Sequence, residues 1–166
     1  RRFGRAGVPS RLLSLVKRHI APAPRLSIGQ ALSACRDIHA VIDVSDGISK
    51  ECLTLSYENN LKIELNLNHN HASLALKAAA GMLKKPWQNW FLHGGEDYEL
   101  LFAASPSFSP RHLLSSPHTR KKIRQHSEDM PIQPIGHFST RGYGVNVSLD
   151  GSRPKAVKPH GWDHVG

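Results

Sequence analysis

The residues best equipped for chemistry in this chain are carboxylates placed at the ends of apolar runs. Ala40-Val41-Ile42-Asp43-Val44-Ser45-Asp46-Gly47-Ile48 is rich in β-branched residues and closes on two aspartates, a serine and a glycine. That composition predicts a buried strand, an acidic turn and a helix, with Asp46 as the N-cap of the helix. Alternation along an extended chain sets Asp43 and Ser45 on one side. Two hard carboxylate oxygens and a hydroxyl suit magnesium with phosphate, because that ion takes one or two carboxylates and completes its shell with phosphate oxygens and water. The alternative is a purely capping Asp46 next to a solvated strand end at Asp43.

A second acidic element follows about fifty residues later. His93-Gly94-Gly95-Glu96-Asp97-Tyr98-Glu99-Leu100-Leu101-Phe102 places three carboxylates directly after two glycines and then enters an apolar run. The glycines permit a turn closed to other residues, and the run reads as a strand. Carboxylates at a glycine turn ahead of a strand are a candidate site; the competing reading is a polar loop of solvated acids. His93 reads as structural. His69 and His71 have the alternation to share a metal on a strand, but no third ligand stands near them in sequence, so a surface loop is the expected setting. Neither acidic motif is a glycine-lysine phosphate loop.

The elements that position these residues follow from periodicity. Helices are expected near Pro9 to His19, Ser27 to Cys35, from after Gly47 to about Glu58, and Ser73 to Leu83, the last rich in alanine. Strands are expected up to Val44, over Leu61 to Leu65 and over Tyr98 to Ala103. Pro106, Pro110 and Pro117 break the next region, so a basic helix is expected from His118 to Ser127. Three short strands complete the chain, around Ile132 to Phe138, Gly144 to Leu149 and Arg153 to Val157. The last two are joined by Asp150-Gly151, a hairpin signal. Helices and strands mixed in this order imply an α+β fold, a mixed sheet packed with helices.

Composition bounds the function. With 166 residues there is enough chain for one domain with a real core. No apolar stretch approaches the roughly 20 residues of a membrane span, and the arginine-rich start has no apolar segment after it, so cytoplasm is the expected compartment. Cys35 and Cys52 match neither a zinc pattern nor a disulfide framework and are expected as free, buried thiols in helices. The net charge of +9 is unevenly spread. Residues 1–18 carry six bases and no acid, residues 111–124 carry five bases and no acid, and Asp37 to Glu99 holds nine acids against five bases. A basic flank around an acidic centre favours metal and phosphate chemistry over a lysine-lined nucleic-acid groove, and no aromatics interleave with the basic runs.

Asp43-Val-Ser-Asp-Gly47, Gly94-Gly-Glu-Asp-Tyr-Glu-Leu-Leu-Phe102, the upstream Ala23-Pro-Arg-Leu-Ser-Ile-Gly-Gln-Ala-Leu32 and the terminal Gly161-Trp-Asp-His164 occur in an order that resembles the C-terminal half of the thiamine-monophosphate kinase family. The wider superfamily includes aminoimidazole ribonucleotide synthetase. The resemblance implies a C-terminal domain with a partly ferredoxin-like topology. It also implies ATP-dependent phosphorylation of thiamine monophosphate to the diphosphate, with magnesium bridging the phosphates. On the family pattern Asp43 and Asp46 hold Mg2+, Ser45 contacts the nucleotide, and Glu96 and Trp162 meet the substrate. A flat ring against a cationic heterocycle is favourable; the competing role for Trp162 is a packing anchor. In-line phosphoryl transfer runs on positioning and charge neutralisation, so no general base is expected.

The chain departs from the pattern at Ile48-Ser49-Lys50-Glu51-Cys52-Leu53 after the turn and at Leu61-Lys62-Ile63-Glu64. The absence of an initiator methionine fits a fragment. On this reading residues 1–166 are one substrate-side domain of a two-domain kinase whose N-terminal ATP-binding half lies outside the chain. The domain alone is expected to be inactive and the full-length form homodimeric. Two alternatives stand beside it: a related ATP-using synthetase or non-catalytic relative, and a basic nucleic-acid-binding module.

Overall fold

The computed structural model describes residues 7–113 and 132–158. After a 3-10 turn at Ser10–Leu12 come helices α1 (Leu13–Ile20) and α2 (Leu26–Ser33), strand β1 (Ile38–Val44), helix α3 (Ile48–Asn59) and strand β2 (Leu61–Leu67). Helices α4 (Leu74–Leu83) and α5 (Trp87–His93) lead to strand β3 (Glu99–Ala104) and the short α6 (Pro110–Leu113). Strands β4 (Gly136–Arg141), β5 (Val145–Leu149) and β6 (Lys155–Ala156) follow. The α+β expectation holds, with the strands divided between two sheets. β1 and β3 form an antiparallel ribbon, while a four-stranded sheet runs in the order β4-β2-β5-β6, with β2 and β5 parallel and its other pairs antiparallel.

The ribbon separates two apolar cores, and alternation along β3 explains why. Leu101 packs against the larger core, where Cys52 and Leu53 of α3, Leu65 and Leu67 of β2, Trp87 and Leu92 of α5 and Val145 of β5 meet. Its neighbours Leu100 and Phe102 pack against the smaller core of Ile28, Ala31, Leu32 and Leu113. Successive side chains point to opposite faces of a strand, so one six-residue strand tethers both cores. β1 alternates too. Val44 is buried but His39, Val41 and Asp43 are exposed, so the strand expected to be buried is half open on the side that carries Asp43.

Local chemistry sets several boundaries. Ser73 caps α4 by accepting the Leu76 N–H at 3.1 Å, as expected for serine at an N-cap. Asp150 and Gly151 both adopt positive φ, the left-handed pair of a two-residue hairpin turn, which joins β5 to β6 as the dipeptide predicts. Helix α5 has no counterpart in the expectations above. Cys35 lies in the turn after α2 and is only partly buried, whereas Cys52 sits buried in α3; both are free thiols. Burial, and then the nearby Glu51, push the Cys52 thiol up to about 12. The expected basic helix from His118 to Ser127 and the terminal Gly161-Trp-Asp-His164 lie outside the described residues.

Candidate functional site

The two acidic motifs, far apart in sequence, are stitched together at one end of the β1–β3 ribbon. Asp43 stands opposite Leu100, and Val44 opposite Glu99. Beyond the strand ends the pairing continues: the Tyr98 N–H donates to the Val44 carbonyl at 2.9 Å and the Glu96 N–H donates to the Ser45 carbonyl at 2.7 Å. Asp43, Ser45 and Asp46 therefore share one end of the fold with Glu96, Asp97 and Glu99. Trp162 lies outside the described residues.

Two glycines make this approach possible. Gly47 has φ 102°, and a Cβ there would meet the backbone of Leu92, His93 and Gly94 at 3.0 to 3.1 Å. A Cβ on Gly94 would meet the Trp90 carbonyl oxygen at 2.3 Å. The α5 terminus is also pinned to α3 by a 2.8 Å hydrogen bond between His93 Nδ1 and the buried Ser49 hydroxyl, which gives His93 the structural role expected of it. The acidic loop itself carries strain. Glu96 and Tyr98 both adopt positive φ, a left-handed conformation that side-chained residues enter at a cost and that is enriched at functional sites.

The Ser-Asp-Gly turn differs from expectation in one respect. The N-cap of α3 is Gly47, not Asp46. The Asp46 carboxylate instead pairs with Lys50 one turn into the helix, and the Asp46 N–H donates to the buried Glu51 carboxylate at 3.2 Å. Gly47, at the junction, has no side chain to cap the helix. Asp43 is exposed and takes part in none of the ion pairs among the described residues. It borders an open groove of about 480 Å³ walled by Pro24, Arg25, Leu26, Gly29, Tyr98 and Leu100.

Cations from the start of the chain face the acidic loop. Arg25, at the N-cap of α2, donates two hydrogen bonds to Glu99, at 2.8 and 2.6 Å, in the fork geometry that suits guanidinium and carboxylate. Hydrogen bonding to Glu99 raises the guanidinium pKa, and burial lowers it by less. Arg18 lies 3.8 Å from Glu99, and His19 Nδ1 3.7 Å from Glu96. Asp97 is open at its surface, yet lost hydration around its carboxyl, and then Glu99, push its pKa up, while Arg18 and His19 pull it down. Charge counts alone do not reveal this part played by the basic N-terminal segment; the signal in the sequence is the Ala-Pro-Arg string that carries Arg25. His71 keeps both ring nitrogens in local contacts, with the Asn68 backbone and the Pro134 carbonyl, as befits a surface loop.

Comparison with known proteins gives the site a setting. No family model matches. Thiamine-monophosphate kinase of Haemophilus influenzae is 32% identical over 168 residues, spanning 98% of this chain and 46% of that protein. The enzyme of Buchnera aphidicola subsp. Schizaphis graminum is 37% identical over 151 residues, spanning 90% of this chain and 42% of its own. The chain is a relative of the thiamine-monophosphate kinases. It spans about half the length of the curated relatives it matches. In three dimensions it is similar to a structure described as AaThiL complexed with AMPPCP and TMP, with a TM-score of 0.71 and 26% identity over 96% of this chain and 44% of that one. The thiamine-monophosphate kinase of Stenotrophomonas maltophilia K279a gives a TM-score of 0.60 at 26% identity, covering 87% of this chain and 41% of its own.

Proposed function

We propose that this chain is the C-terminal, substrate-side half of a kinase that uses ATP to convert thiamine monophosphate to thiamine diphosphate. The observation that carries the reading is the hydrogen-bonded union of the Asp43–Gly47 turn with the Gly94–Glu99 loop, in a chain similar over nearly its whole length to thiamine-monophosphate kinases. A structure similar to it holds AMPPCP and TMP. An ATP-binding half supplied by the rest of the protein, a homodimeric whole and a cytoplasmic location belong to the same reading.

The donor set fits magnesium. Asp43 offers a solvent-facing carboxylate outside every ion pair among the described residues, and the exposed Asp46–Lys50 pair, worth less than about 1 kcal/mol, yields readily to a divalent ion. No group of three or more histidine, cysteine or acidic side chains is placed to hold a metal ion by itself among the described residues. Two carboxylates with phosphate and water for the remainder is the arrangement magnesium favours beside a nucleotide. When bound, the ion neutralises the charge that builds on the transferred phosphoryl group. In this reading Ser45, between the two aspartates in sequence, contacts the nucleotide, and the substrate contacts fall to Glu96, held in a turn of positive φ, and to Trp162.

The division of labour has a direct test. The whole protein that carries this chain should form thiamine diphosphate from ATP and thiamine monophosphate only with magnesium present, whereas this chain alone should turn over neither substrate. A whole protein that hydrolyses or transfers phosphate to other acceptors, but never to thiamine monophosphate, overturns the substrate assignment.

A further inference from the structure

One peptide unit in the Ser-Asp-Gly turn is gripped at both poles. Its carbonyl, on Ser45, accepts the Glu96 N–H at 2.7 Å, and its N–H, on Asp46, donates to Glu51 Oε1 at 3.2 Å. Because a peptide is planar, fixing both poles fixes the plane from which the Ser45 and Asp46 side chains depart. The acidic loop supplies one grip and the first turn of α3 the other. Glu51 is only 7% exposed and enters none of the ion pairs among the described residues. A first-turn carboxylate gains a little from the positive end of the helix, but burying an acid without a cation costs more. Stability therefore does not account for a carboxylate at this place, whereas the bond to the Asp46 N–H does.

We propose that Glu51 is a positioning residue for the metal-holding turn, acting through Asp46 and touching neither metal nor substrate. The inference rests on the magnesium reading above and adds a residue to it. The Asp46 carboxylate is tethered to Lys50, and magnesium must take it from that partner. Once it does, the side chain loses its anchor and the backbone grip is what holds Asp46 beside Asp43. The part played by Glu51 is that of an acceptor oxygen, in the way that groups behind a metal's direct ligands fix the ligands' orientation. Its charge is secondary.

Two variants separate acceptor from charge and from packing. Glu51→Gln keeps a side-chain oxygen of the same reach without the charge, and Glu51→Met fills a similar volume with neither. Electron paramagnetic resonance of Mn2+ on the whole protein with AMPPCP reads the affinity, the component weakened by Asp46→Asn being the one followed. Glu51→Met should weaken that component about tenfold, the loss typical of removing a group that orients a ligand. Glu51→Gln should stay within about threefold of native. Both should melt no lower than native, since replacing a buried charge by an apolar side chain of similar size is often neutral or stabilising. Native affinity in Glu51→Met overturns the positioning role, and Glu51→Gln as weak as Glu51→Met overturns the acceptor in favour of charge. A melting temperature that falls in either variant with Mn2+ affinity unmoved makes Glu51 purely structural and overturns the inference. If no Mn2+ component depends on Asp46 in the native protein, the magnesium reading itself fails and this inference fails with it.

Discussion

Gly47 carries two constraints at once, and each predicts a consequence. Its φ of 102° disfavours any side chain, and a Cβ would press on the 92–94 backbone at 3.0 to 3.1 Å, where no flexible side-chain end can give way. Gly47→Ala should therefore destabilise the domain by about 2 kcal/mol or more and lower its melting temperature by several degrees in calorimetry. Asp97 predicts the opposite sign. Its carboxyl has a raised pKa in the fold, so the unfolded chain ionises first and stability is lost as pH climbs from about 4 through the folded pKa. The penalty grows as pH rises towards and through the folded pKa. Asp97→Asn should melt higher than the native chain at pH 7, and the advantage should vanish in melts taken below about pH 4. At this scale the carboxylates and the glycine are legible in the sequence, but the cap is not. Asp46 has the composition of a capping residue, and only the position of the helix start decides that Gly47 takes that place.

Among the elements, the contact most open to test is the strap of α2 onto β3 through Arg25 and Glu99. With the arginine side chain largely covered and the glutamate about half open, truncating Arg25→Ala should cost about 1 kcal/mol in denaturant unfolding. Arg25→Lys should recover less than half of it, because an ammonium cannot reproduce the two-pronged fork. Equal stability of all three would reduce the pair to a surface contact. Most helices and strands are legible because their periodicity is clean, as in α3 and β2, and the hairpin because Asp-Gly admits so few turns. Helix α5 escapes the sequence reading although Trp87, Trp90 and Phe91 follow helical spacing. Seven residues starting after a proline and crowded with aromatics give a weak local signal, and packing of Trp87 and Leu92 into the larger core stabilises the helix. The open face of β1 is also hidden, since an apolar run reads the same whether one or both faces are covered.

On the scale of the molecule, the β1–β3 ribbon does more than separate two cores. It brings two acidic motifs from distant parts of the chain to one edge, and Arg18, His19 and Arg25 face the acids there. Part of the basic excess behind the net charge of +9 is thus matched inside the domain, next to its acidic centre. The central claim is that this edge forms one side of a phosphoryl-transfer site, with Asp43 as a metal-holding residue and not a structural one. The most direct measurement is the turnover of thiamine monophosphate by the whole protein carrying Asp43→Asn, read beside its melting temperature. Loss of kcat by about two orders of magnitude or more, with a melting temperature within about 2 °C of the native protein, is the predicted result for an exposed carboxylate that acts through a metal. Full turnover in the variant, or a melting temperature that collapses in step with activity, would contradict the claim.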